Sequence, residues 1–174
     1  MGIWIRAAAA ALVFSASVGA QAQPAANPLE TRLEARKVAK AADGKETLVA
    51  AGDAKPGDVI EYVATYRNTG KQAIRNLDAT LPVPDQTEYL PGSEKPAGAR
   101  ASLDGRTYGA MPLTRKVNRD GRDVDAPVPT REYRFLRWHA DTLPAGQELT
   151  YTARVRVIDD RNTTGPPAGQ GGPR

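Results

Sequence analysis

The chain has 174 residues, with 24 Lys and Arg against 20 Asp and Glu, a formal net charge of +4 and no Cys. The missing Cys excludes a disulfide, a thiolate zinc site, a cysteine nucleophile and a lipid anchor on cysteine. Basic and acidic residues are interspersed with no basic block, so the excess describes a mixed, solvated surface and not a nucleic-acid footprint.

Residues 1–22 have the pattern of a secretory signal. Arg6 is a positive n-region, residues 7–18 a short apolar core, and Ala20-Gln21-Ala22 a small-x-small cleavage site. The apolar run falls short of the roughly 18 residues that a membrane span needs. Cleavage near Ala22 would remove Arg6, taking the net charge from +4 to +3, and deliver a periplasmic or secreted protein that does not span the membrane. The remaining residues, about 150, suffice for one domain that buries roughly two-thirds of its unfolded surface without staples.

Residues 23–28 are rich in Pro, Ala and Asn and form an expected flexible leader. Residues 29–42 fit either a helix or a strand, and the β character downstream favours a first strand. Asp43-Gly44 is a turn signal, followed by a short strand over 46–51. The clearest element is Lys55-Pro56-Gly57-Asp58 leading into Val59 and on to Asn68-Thr69-Gly70. Pro56 presets φ and Gly57 tolerates positive φ, so the chain turns there. Ile60, Tyr62, Ala64 and Tyr66 then share one face of a strand, with Glu61, Thr65 and Arg67 on the other and Val59 and Val63 as its apolar exceptions.

Leu77, Ala79 and Leu81 alternate with Asp78 and Thr80 in a strand over 73–81, which Pro82 and Pro84 end. A short extended piece covers 87–90. Asp104-Gly105 predicts a two-residue hairpin between 99–103 and 106–108. Residues 111–130 are polar and interrupted by Pro and Gly, and predict a long loop, functional or mobile. Residues 131–139 return to β character. The turn Leu143-Pro144-Ala145-Gly146 precedes a run in which Leu149, Tyr151, Ala153, Val155 and Val157 alternate with polar residues. Residues 161–174 are rich in Gly, Pro and Asn and predict disorder. Seven to eight short strands with turns between them, and no amphipathic helix, describe an all-β antiparallel sandwich over 29–160.

Pro56-Gly57-Asp58, Tyr62, Asn68-Thr69-Gly70 and Asn76-Leu77, followed later by Trp138, Leu143-Pro144-Ala145-Gly146 and Leu149-Thr150-Tyr151, make a pattern across most of the chain. It resembles the immunoglobulin-like repeat family called domain of unknown function eleven, found in exported and surface proteins of bacteria and archaea. The resemblance implies an immunoglobulin-like sandwich and transfers no catalytic residue. The chain departs from the pattern at Leu81, where such repeats carry an acidic residue, and in the length of 111–130.

Candidate chemistry is sparse. His139 is the only His, which excludes multi-histidine metal sites. Asp141 lies two residues on, so the pair shares a strand side and could serve a small hydrolase, although no activated nucleophile is evident. Asp120, Asp123 and Asp125 beside Gly121 do not match the spacing of a calcium loop. No cofactor is called for. Asn162-Thr163-Thr164 matches a glycosylation triplet but falls in the tail. Arg115, Lys116, Arg119 and Arg122 make the 111–130 segment basic, and Arg154 and Arg156 project from one strand face. These six residues are the expected interaction surface, for an envelope protein or for an anionic polymer or carbohydrate met by a basic sheet face. The expected function is a non-catalytic module in protein interaction or structure at the cell envelope.

Overall fold

The computed structural model describes residues 28–159. The expected signal segment and leader up to residue 27, residue 160 and the expected tail over 161–174 lie outside the described residues. Two antiparallel sheets form a sandwich. Sheet A runs β2 (Glu46–Ala50), β1 (Leu29–Lys40), β3 (Val59–Asn68), β11 (Glu148–Val157), β5 (Thr87–Tyr89). Sheet B runs β4 (Ile74–Pro82), β10 (Phe135–Leu143), β6 (Arg100–Ser102), β7 (Gly109–Ala110). A separate hairpin joins β8 (Thr114–Arg119) to β9 (Arg122–Pro127), and a 3₁₀ turn covers Thr130–Glu132.

Period-2 alternation builds the core as the patterns of β3, β4 and β11 require. Ile60, Ala64 and Tyr66 of β3 and Tyr151, Ala153 and Val155 of β11 face Leu77, Ala79 and Leu81 of β4 and Leu136 and Trp138 of β10. Tyr151 holds an aromatic cluster together, edge-on to Tyr66 at 6.0 Å and tilted against Trp138 at 5.0 Å. The polar ends of these rings are satisfied. Trp138 Nε1 donates to the Pro96 carbonyl at 2.7 Å. The Tyr66 hydroxyl donates to Thr80 O at 2.8 Å and accepts from Thr80 N at 2.9 Å, and so closes part of the otherwise unpaired edge of β4.

The turns on either side of β3 are structural. Asp58 accepts from Lys37 Nζ at 2.7 Å and Lys55 N at 2.8 Å, contacts that hold its carboxyl below the usual carboxylate range. The Gly57 N–H meets the Val157 carbonyl, tying this turn to the end of β11. At the other end Asn68 is fully buried. Its Nδ2 donates to Gln72 O at 2.8 Å and Leu143 O at 3.0 Å, while Oδ1 accepts from Gly70 N at 3.0 Å. The Asn-Thr-Gly exit is therefore a joint between β3 and the end of β10.

Three expectations need correction. Residues 111–130 are not a long loop but the ordered β8–β9 hairpin. Asp120 and Gly121, with φ of 53° and 79°, form its two-residue turn, and the flanking strands are too polar to announce themselves. Conversely, Asp104-Gly105 is no two-residue hairpin turn. Asp104 Oδ1 accepts from Arg106 N at 2.8 Å and Thr107 N at 2.9 Å, and Gly105 N donates to Ser102 Oγ at 2.9 Å, so pairing resumes only at Gly109 and Ala110. Finally, β10 begins at Phe135 and runs on to Leu143, because Thr142 and Leu143 pair with Arg75 and Ile74 of β4. A strand over 29–42 was the preferred reading, and β1 occupies that place.

Candidate functional site

The six basic residues singled out in the sequence do not form one stripe. Arg115, Lys116, Arg119 and Arg122 lie on the β8–β9 hairpin, whereas Arg154 and Arg156 lie on the outer face of sheet A.

The hairpin has two unlike faces. Its register pairs Arg115 with Ala126, Val117 with Val124 and Arg119 with Arg122 on one side. Lys116 with Asp125 and Asn118 with Asp123 occupy the other. The second face neutralises itself, through Lys116–Asp125 at 3.7 Å and Asn118 Nδ2 donating to Asp123 at 3.3 Å. The first face is apolar at its centre and basic at its end. Arg115 makes a bidentate pair with Glu132, at 2.6 and 3.2 Å, that props the hairpin base. Arg119 and Arg122 have no ion-pair partner among the described residues and stand opposite each other beside the turn. Nearly every hairpin residue is exposed, Val124 included. The base is fixed where Val128 N donates to Leu113 O and Leu113 N to the Tyr133 hydroxyl, each at 2.8 Å. Asp120 occupies the turn apart from Asp123 and Asp125, and no cluster of three or more metal-binding side chains occurs among the described residues.

On sheet A the cationic face is largely balanced. Arg154 lies between Glu61 and Glu46, each at 2.8 Å, which raises its pKa further. Arg32 and Arg36 share Glu34 at 3.0 and 2.7 Å. Arg156 alone of the two β11 arginines is exposed without an ion pair among the described residues.

His139 sits on the outer face of sheet B. Its principal partner is Asp78 across the β4–β10 ladder, with Nδ1 to Oδ1 at 2.9 Å, while Nε2 lies 3.4 Å from Asp141. The hydrogen bond that the ring donates to Asp78 and the field of both carboxylates raise the imidazole pKa. A general base must offer a lone pair, and here each ring nitrogen faces a carboxylate, an arrangement that favours the doubly donating imidazolium. Asp78 could have been placed beside His139 only by knowing the ladder register, although the β4 alternation already assigned it to the outer face. Compared with family models, curated proteins and solved structures, the chain matches none.

Proposed function

We propose that this chain is an exported, non-catalytic immunoglobulin-like module that acts by protein interaction at the cell envelope, with the β8–β9 hairpin as its contact element. The observation that carries this reading is the hairpin's first face, which sets exposed Val124 and the Val117 pair beside the unbalanced Arg119 and Arg122. Such a face fits an acidic protein surface with an apolar centre, since opposite potentials steer the encounter and apolar burial holds the complex. The rigid base presents it with little ordering cost. The signal-like residues 1–22 and the resemblance to surface-protein repeats support the location.

The test is a photoreactive side chain at Val124 in the producing cell. Irradiation should give one cross-linked species of discrete mass in the envelope fraction, and Arg119→Glu with Arg122→Glu should abolish it while thermal unfolding stays unchanged. A species equally abundant from a probe at Leu48 on β2, or insensitive to the double charge reversal, would sink the reading.

A further inference from the structure

A second, separate feature lies on the outer face of sheet B. There the register sets Arg100 of β6 directly opposite Arg137 of β10. Like charges in that position repel and destabilise a sheet, and the surroundings only partly offset them. The Arg137 guanidinium lies 3.6 Å from the centre of the Tyr108 ring, and its ion-pair partner among the described residues is Asp78 at 3.5 Å. Its Nε–H is buried and meets no acceptor among the described residues. Arg100 uses Nη2 on the Tyr108 carbonyl at 2.7 Å.

These groups, with His139 and Gly98, line a recess of about 400 Å³, within the size range of sites for small ligands. Two guanidiniums against the single carboxylate of Asp78 leave one positive charge over, and two when His139 is protonated. Asp141 stands at the rim, 95% exposed, where water screens it. The wall is rigid. Asp104 and Ser102 pin the 103–108 loop, and Gly105 packs so closely on Phe135 that a Cβ there would come within 2.9 Å of the ring. Tyr108 and the two arginines are thus placed before any ligand arrives.

We propose that this recess binds a carboxylate-bearing sugar residue, its carboxylate bridging Arg100 and Arg137 and a ring hydroxyl donating to Asp78. A carboxylate answers the arginine pair without the second negative charge that a phosphate would press against Asp78, and a neutral sugar would leave the arginine pair unanswered. The site is independent of the hairpin, so either assignment can fail without the other.

The experiment is an NMR titration of the purified protein at constant ionic strength, with sodium glucuronate, glucose, acetate and inorganic phosphate as probes. Glucuronate should give saturable shifts at Arg100, Arg137 and the His139 ring, and bind more tightly than each of the other three. Arg137→Met and Arg100→Gln should each weaken it by roughly tenfold or more, and Arg156→Gln should leave the curve unchanged. If Arg137→Met fails to fold, Arg100→Gln, a change at an exposed side chain, carries the same test. Non-saturable glucuronate shifts, tighter binding of phosphate or acetate, or equal losses in Arg100→Gln and Arg156→Gln would overturn the proposal.

Discussion

At the scale of single residues, the amide of Asn68 joins the exit of β3 to the end of β10. It satisfies the Leu143 and Gln72 carbonyls and the Gly70 N–H from a site with no access to water. Truncation strands the buried Leu143 carbonyl, a loss of about 1–3 kcal/mol, and also releases the Gln72 carbonyl and the Gly70 N–H nearer the surface. Asn68→Ala should therefore lower the unfolding free energy by about 2–3 kcal/mol in urea, with an unchanged m-value. His139 supplies a pH-dependent counterpart. Its folded pKa is raised by Asp78, so its stabilising effect is complete below the unfolded value and fades as pH rises through the folded one. The ring should titrate above the usual histidine value of about 6.5 in an NMR pH series, and Asp78→Asn should bring it back down. A midpoint unmoved by Asp78→Asn would show that the pair is not coupled.

At the scale of elements, the hairpin and the strands of the sandwich obey different rules. Apart from its base the hairpin buries little, so its order comes from the Asp120-Gly121 turn, the Val117–Val124 pair and the Arg115–Glu132 clamp. Replacing residues 115–126 by an Asn-Gly turn should change the unfolding free energy by less than about 1 kcal/mol. The same replacement should abolish cross-linking from the hairpin face. A larger loss of stability would mean that the hairpin is part of the cooperative fold.

This contrast marks where sequence pattern is informative. β3 and β11 bury one face and expose the other, and hydrophobic alternation reports that difference. β8 and β9 bury little of either face, and the Val117–Val124 pair is too short an apolar signal among polar neighbours, so their sequence resembles a loop. The turn dipeptide alone was insufficient, because Asp104-Gly105 offers the same letters in a place where side-chain hydrogen bonds hold the loop open. As for the candidate residues, the strand pattern correctly set Arg154 on an outer face. It carried no information on Glu61 and Glu46, which arrive from two other strands.

At the scale of the whole molecule, sheet A extends beyond its partner. β4, the edge of sheet B, packs against β3, and among the described residues no sheet lies opposite the inward side of β1 and β2. Leu33 is 47% and Val49 44% exposed there, while Leu136 under the paired sheets is fully buried. Leu136→Ala should cost about 2–5 kcal/mol, from lost transfer energy plus the cavity left behind. Leu33→Ala should cost less than about 1 kcal/mol, since the removed methyls were half in water already. Calorimetry of the two variants distinguishes an overhanging wing from a covered one, and similar losses would refute the overhang.

The sequence by itself determined the all-β class, the turns around β3 and β11, and which side chains of those strands face the core. All are consequences of local backbone preference and a two-residue period. Tertiary structure alone decided which strands became neighbours. Register set Arg100 against Arg137 and Asp78 against His139, and brought Glu46 to Arg154 across 108 positions of chain. Charge pairing depends on distances of a few ångströms, and separation along a chain does not specify those distances until the sheets have formed.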